Sequence, residues 1–200
     1  MPLGANKAAL FGMGGISGED IELISTTTLS GNSEFAFTGF SSDYKSLMWQ
    51  FVGMNGSAHD SDLVFRCRES GEDYGIYTTT SAFRVVNPNS GSGALQYQPA
   101  ADAAHSDQEI IFGYNLDDGS EAANTANSGV FQLFNPTSGI FIKQFSTQID
   151  GGFATSGGGA QNFSTGGYIN TTTALEAIEF KWDDPTGTMD AGKILYWGIK

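Results

Sequence analysis

The chain has 200 residues, of which only 16% are charged, and it carries a formal net charge of −13. Such a length suits one substantial core, and so negative a chain repels phosphate backbones and anionic lipid headgroups. No apolar run approaches the ~20 residues that span a bilayer, and the N-terminus lacks the apolar core of a signal peptide. We therefore expect a single domain that partners neither nucleic acid nor membrane.

Residues 1–18 are predicted to form an extended N-terminal arm. The segment is rich in glycine and shows no sustained hydrophobic period. It nevertheless holds more apolar side chains than a solvated tail would, so we expect them to pack on a neighbouring surface such as another subunit. These arm residues are Leu3, Leu10, Phe11, Met13 and Ile16.

From residue 21 onward, apolar and polar residues alternate between clusters of Gly, Asn, Asp, Ser and Pro. A period of two is typical of half-buried β-strands. The pattern predicts about eleven strands within one domain of residues 19–200. They are expected at residues 21–29, 33–40, 45–54, 62–70, 75–86, 94–98, 109–116, 129–135, 139–149, 177–182 and 193–199.

The glycine-rich residues 151–174 are expected to form a long loop that holds at most a short strand, around residues 161–170. Two tight turns are also predicted, one before and one after this loop in the sequence. Residues 135–139, with Pro136 followed by Gly139, are predicted to close a hairpin, with Gly139 free to take positive φ. The acidic turn at residues 184–187 is expected to join the last two strands in a similar way.

Each predicted strand offers one apolar face. Two sheets with such faces pack at roughly 10 Å, and aromatic side chains fill the space between them. The sequence therefore predicts an all-β, single-domain antiparallel β-sandwich of jelly-roll type. The paired positions are Phe35 with Phe37, Phe141 with Phe145, and Ile178 with Phe180 and Trp182.

Cys67 is the only cysteine of the chain, which excludes an intrachain disulfide. Folding in a reducing cytoplasm is the simplest explanation. Cys67 is in phase with Leu63 and Phe65, so we expect a buried thiol rather than a reactive one.

The sequence offers little for catalysis. The two histidines, His59 and His105, fall in predicted loops, and no G-x-S-x-G motif occurs. Acidic residues occur in adjacent pairs, which are poor evidence for the opposed carboxylates of a glycosidase. We therefore predict a protein that is not an enzyme and has no catalytic residues and no cofactor.

Two oxygen-rich loops are candidates for a calcium site. One holds His59 with Asp60, Ser61 and Asp62, and the other spans residues 115–121. Neither has the acid spacing of an EF-hand, so solvated turns explain both loops and no metal site is predicted.

Glycan recognition remains an alternative, because exposed aromatic rings stack on sugars. The aromatic residues near loops are Tyr97, Tyr114, Phe163 and Tyr168, although most aromatic residues of the chain sit at core positions of strands.

Several segments, in order, resemble a family of small virion structural proteins of tailed bacteriophages, especially marine ones. They are "MPLGANKAALFG", "LISTTTLSGNSEFAFTGFSSDYKSLMWQFVGM", "DLVFRCRESG", "GVFQLFNPTSGIFIKQFST" and "GGYINTTTALEAIEFKWDDPTGTMDAGKILYWGIK". The resemblance extends over nearly the whole chain, and it carries no catalytic motif.

The resemblance implies a structural protein on the surface of a phage particle, made in the host cytoplasm. We expect an oligomeric capsid decoration or cement module whose arm grips other virion proteins, either the major capsid protein or tail components. A homo-trimer is favoured, because closed cyclic symmetry is the usual way identical subunits bury such surfaces. The alternative is a tail-fibre or head-fibre module that binds glycan on the host surface.

Overall fold

Twelve β-strands build the protein in a computed structural model, which describes residues 20–118, 125–152 and 158–200. The helical structure among these residues is a single 3-10 turn, Pro99–Ala101. The strands are β1 (Ile21–Thr28), β2 (Glu34–Thr38), β3 (Ser46–Gly56), β4 (Ser61–Glu69), β5 (Thr78–Pro88), β6 (Ala94–Tyr97), β7 (Ile110–Leu116), β8 (Asn127–Phe134), β9 (Lys143–Gly152), β10 (Gly159–Ile169), β11 (Leu175–Trp182) and β12 (Met189–Ile199).

The strands form two sheets. The large sheet has eight strands in the order β1-β12-β3-β8-β9-β10-β5-β6, and the small sheet has four in the order β2-β11-β4-β7. All neighbouring strands are antiparallel. The predicted all-β antiparallel sandwich is confirmed. The predicted arm, residues 1–18, lies outside the described residues.

The chain crosses repeatedly between the two sheets. Strands β1, β3, β8 and β12 lie in the large sheet and β2, β4, β7 and β11 in the small one, and eight of the eleven connections between successive strands cross from one sheet to the other. The hairpins β5–β6 and β9–β10 both add to the large sheet. The predicted hairpin between the last two strands is therefore wrong, because β11 and β12 belong to different sheets.

Trp182 holds this last crossing in place. Its indole Nε1 donates to the backbone oxygen of Thr188 at 3.1 Å, and its ring lies against Gly56 so closely that any side chain there would collide with it. The crossing delivers β12 between β1 and β3, so the closing stretch of the chain is an interior strand of the large sheet.

Aromatic rings fill the space between the sheets, and Phe180 of β11 lies at their centre. Its ring meets five others at centroid distances of 5.3–6.1 Å, those of Phe37, Trp49, Phe51, Phe112 and Phe131. Trp49 also stacks on Tyr196 of β12 at 5.0 Å with parallel planes. Rings from both sheets thus interlock in edge-to-face and stacked pairs, which are the favoured geometries.

The hairpin between β8 and β9 is confirmed, but its loop is longer than predicted. Positive φ falls on Asn135 at 49°, not on Gly139. The ammonium group of the fully buried Lys143 donates to the backbone oxygens of Ser138, Phe141 and Thr171 at 2.7–3.2 Å. Burial lowers the pKa of this lysine. The β8–β9 loop supplies two of these oxygens, those of Ser138 and Phe141; β9 begins only at Lys143, and Phe141 lies on the surface rather than in the core.

Strand β10 corrects the prediction of a long loop. It spans eleven residues and pairs with β9 on one side and β5 on the other. A Cβ atom at Gly167 would lie 2.1 Å from the backbone oxygen of Thr79. Glycine here therefore permits close strand packing and does not mark a turn.

Cys67 lies on the inner face of β4 and is buried, as predicted. Burial also raises the pKa of its thiol, which disfavours the reactive thiolate.

Replacing Phe180 tests the importance of the ring lattice. We expect Phe180→Ala to lower the free energy of unfolding by about 3–5 kcal/mol, because it leaves a cavity between the sheets. Phe141→Ala is the matched control, since that side chain is 64% exposed, and it should change stability by less than about 0.5 kcal/mol. Chemical denaturation followed by tryptophan fluorescence measures both, and equal losses would contradict the assignment.

Candidate functional site

The strongest surface feature is a row of large apolar side chains on the outer face of the β5–β6 hairpin. Phe83 pairs with Tyr97 and Val85 pairs with Leu95 across the two strands, so the four side chains share one face. They are between 45% and 73% exposed. We call these four residues the edge surface, because β6 is the last strand of the large sheet at that end.

The opposite end of the large sheet is also poorly covered. Strand β1 is exposed along most of its length on both faces, including Leu23 and Ile24. Contiguous exposed apolar side chains and open sheet edges both favour contact with another chain. The arm residues Leu3, Leu10, Phe11, Met13 and Ile16 precede β1, but they lie outside the described residues.

The aromatic residues proposed for glycan contact separate into two pairs. Tyr97 and Tyr168 are exposed, and Tyr97 belongs to the edge surface. Its hydroxyl donates to the carboxylate of Asp102. Phe163 is fully buried, and the half-buried Tyr114 stacks on it at 5.9 Å. The structure therefore corrects the prediction for Phe163 and Tyr114, because both pack on the inner side of the large sheet.

Ion pairs cover the outer face of the small sheet. Arg66 Nε donates to the buried Glu179 carboxylate at 2.7 Å, and Lys181 contacts Glu109 at 2.5 Å. The guanidinium groups of Arg66 and Arg68 both lie over the ring of Tyr74, at 4.9 and 5.6 Å from its centroid. The sequence pattern gives no sign of this arrangement, because its members come from two strands, β4 and β11, and from the loops that hold Tyr74 and Glu109.

A groove of about 360 Å³ lies beside these ion pairs. Its lining combines two apolar side chains, Val64 and Ile111, with hydrogen-bond donors and acceptors: Arg66, Tyr74, Asp107, Gln108, Glu109 and Asp183. A volume of this size and a few convergent polar groups suit a small ligand.

The two candidate calcium loops, which the sequence presents as separate sites, lie next to each other in the fold. His59 lies 3.2 Å from Asp118 and 3.5 Å from Asp117, measured from Nδ1 to a carboxylate oxygen. Asp62 instead accepts a hydrogen bond from the backbone N–H of Asn115 at 2.7 Å. The two loops are thus joined through His59 and its two aspartates as well as through Asp62 and Asn115.

The histidine contacts give no support to hydrolytic chemistry. His105 stacks on Tyr77 at 4.3 Å and lies 3.5 Å from the amide of Asn170. His59 faces the two aspartates. These contacts pair the two imidazoles with acids, an amide and a ring.

Comparison of the chain with family models, curated proteins and solved structures found no significant match. Among the described residues, no helix has the length and apolar character needed to cross a membrane.

Asp62 lies next to the groove residue Asp183 and makes stability depend on pH. Burial raises the pKa of Asp62 to about 6, and the nearby Asp183 charge adds to the rise. The folded state therefore binds this proton more tightly than the unfolded chain does. Its contribution favours folding below about pH 4 and is lost as the pH rises through about 6.

We expect Asp62→Asn to stabilise the protein at pH 7 by about 1–3 kcal/mol, because the amide carries no charge to desolvate. The amide oxygen can still accept from Asn115. The advantage should vanish near pH 4, where the carboxyl group of the wild type is protonated. Urea unfolding of both proteins at pH 4 and pH 7 measures the difference, and equal stability at pH 7 would contradict it.

Proposed function

We propose that this protein is a non-enzymatic structural component of a tailed-phage particle. In this proposal it is an oligomeric capsid decoration module, anchored by its N-terminal arm, that covers and stabilises the particle surface. The edge surface is the observation that carries the proposal, because an exposed row of four large apolar side chains needs a protein partner. The resemblance of the sequence segments to phage virion proteins suggests that the partner belongs to a phage particle.

The finer architecture in this proposal is a jelly roll with two inserted hairpins. Without β5–β6 and β9–β10, eight strands remain, four in each sheet, and every connection between successive strands except that from β4 to β7 crosses from one sheet to the other. Their orders are then β1-β12-β3-β8 and β2-β11-β4-β7, which is the interleaving that two Greek keys produce. The two hairpins widen one sheet and create the edge surface.

The occupant of the edge surface in this proposal is the arm of a second copy. The arm joins β1, and β1 lies at the opposite end of the large sheet from β6. Eight strands spaced about 4.8 Å apart separate the two ends by roughly 34 Å. An extended segment of 18 residues reaches at most about 60 Å, so the arm is long enough to lie on the edge surface of a neighbour whose β6 faces its β1. Repeated around an axis, this contact closes a ring such as a trimer.

Removing the arm or the edge surface tests this proposal. We expect deletion of residues 1–16, or the pair Leu95→Ser with Tyr97→Ser, to leave a folded protein that no longer forms oligomers or joins particles. The replaced side chains are largely exposed, so the melting temperature should stay close to that of the wild type. Light scattering after size exclusion and incorporation into particles are the measurements.

Ile140→Ser is the matched control, because Ile140 is 75% exposed yet lies in the β8–β9 loop, away from the edge surface. This variant should assemble normally. Incorporation that survives loss of the arm would overturn the anchoring role, whereas a monomeric wild type would overturn the arm exchange between copies.

A second candidate function is a fibre module that binds host-surface glycan, and the groove on the small sheet favours it. Its hydrogen-bond donors and acceptors lie beside two apolar side chains, Val64 and Ile111. This combination suits a sugar, which offers both hydroxyl groups and C–H faces. Here Tyr74, fixed by two guanidinium groups, forms one wall.

A glycan array decides between the surfaces. If the groove binds sugar, we expect Tyr74→Ala and Gln108→Ala to reduce binding at least tenfold and Tyr97→Ala to leave it unchanged. Loss on Tyr97→Ala alone would move the site to the edge surface. If the wild type binds no glycan on the array, the protein is not a fibre module that recognises any of the sugars displayed.

A further inference from the structure

A small cluster of metal-ligating side chains joins two loops that are far apart in sequence. The imidazole of His59, which follows β3, lies against the carboxylates of Asp117 and Asp118, which follow β7. One ligand atom from each of the three residues falls within 4.8 Å of the other two. Two ligands of one cation at bond lengths of about 2.0–2.2 Å lie at most about 4.4 Å apart, and the 3.2 and 3.5 Å separations of His59 Nδ1 from the two carboxylates lie within that limit.

Burial makes this cluster unlike a solvated acidic turn. The side chain of Asp117 has no exposed surface, while those of Asp118 and His59 are 20% and 37% exposed. A buried carboxylate is costly unless a positive group or a metal compensates its charge. His59 already contacts this carboxylate, and Asp117 has further contacts; a bound cation would add positive charge in a chain of net charge −13.

The backbone around the cluster is held before any ion binds. The side-chain amide of Asn55 donates to the backbone oxygens of Asp118 and Thr125, at 3.1 and 2.9 Å. The backbone N–H of Asp60 donates to the oxygen of Leu116 at 3.1 Å. These bonds fix the loop after β7 to the strand β3 and to the loop that carries His59, so the ligands are preorganised.

A separate observation places unsatisfied polar groups beside the same loops. Asn127, at the start of β8, is fully buried, and neither its amide nitrogen nor its oxygen has a hydrogen-bond partner. Its oxygen lies against Gly151, and the next residue, Gly152, accepts the backbone N–H of Asp117. Buried groups of this kind need an explanation, and an ion with its bound water is one.

We propose that His59, Asp117 and Asp118 bind a divalent cation of the zinc class, which ties the loop after β3 to the loop after β7. The ion takes one nitrogen and two oxygen ligands from the protein and completes its coordination with water. The role is structural, and the proposal stands independently of any function in a phage particle.

The donor set selects the metal. Imidazole suits zinc and its neighbours, whereas calcium takes six to eight oxygen ligands and gains nothing from a histidine. The fold therefore turns two loops that resemble weak calcium sites in sequence into one mixed nitrogen and oxygen site.

The test measures binding of Zn²⁺ and of Ca²⁺ to the metal-stripped full-length protein by isothermal titration calorimetry, with the melting temperature as a second readout. We expect one Zn²⁺ per chain, a higher melting temperature with Zn²⁺ than with chelator, and weaker binding of Ca²⁺. His59→Ala should weaken Zn²⁺ binding at least tenfold. Asp118→Asn should do the same, while both variants stay folded in chelator.

His105→Ala is the matched control, because the chain has two histidines and His105 stacks on Tyr77 away from the cluster. It should bind Zn²⁺ as the wild type does. Equal weakening by His59→Ala and His105→Ala would show adventitious surface binding and overturn the proposal. Absence of Zn²⁺ binding, or Ca²⁺ binding that ignores His59, would overturn it as well.

Discussion

The interlocked rings around Phe180 are the contact on which the rest of the sandwich depends. They join β11 and β7 of the small sheet to β3 and β8 of the large one, through Trp49, Phe51, Phe112 and Phe131. Tyr196 extends the same stack to β12. The small sheet is thereby fixed over the first half of the large sheet, since aromatic pairs stabilise only at close and specific distances.

The mismatch between four strands and eight leaves the far end of the large sheet without a facing sheet. There the inner side of β5 and β10 is covered by a smaller cluster, in which Ala82, Ala101 and Phe163 pack with Tyr114. Thr80 fastens the 3-10 segment over this cluster through hydrogen bonds to Ala101 and Ala103. This cover lies on the inner side, whereas Phe83, Val85, Leu95 and Tyr97 face outward. The same two hairpins that enlarge the sheet therefore produce its exposed apolar row.

Alternation of residue types was enough to locate nearly every strand, because each strand buries one face. It failed where a residue serves a contact that is distant in sequence. The glycines of β10 look like loop residues until Gly167 is seen against Thr79. Lys143 reads as an ordinary strand position, yet its ammonium group is buried and holds three loop oxygens. A local pattern contains neither fact.

The candidate sites depend even more on tertiary pairing than the strands do. The edge surface exists because of the register that sets Phe83 opposite Tyr97, and the cation cluster exists because β3 and β7 end near each other. In sequence, His59 and the Asp117–Asp118 pair belong to two separate oxygen-rich loops. The burial of Phe163 and Tyr114 likewise follows from the insertion of β10 between β9 and β5.

The distribution of charge over the two outer faces indicates which face can be covered by a partner. On the small sheet, Arg66, Lys181, Glu109 and Glu179 are already engaged in ion pairs, and covering them would remove charged groups from water at a cost of several kcal/mol. The outer face of β9, in the middle of the large sheet, presents Gln144, Ser146 and Gln148 instead. Neutral amides and hydroxyls lose less on desolvation and can bond to a partner's backbone. Covering the outer face of the large sheet therefore costs less desolvation than covering that of the small one.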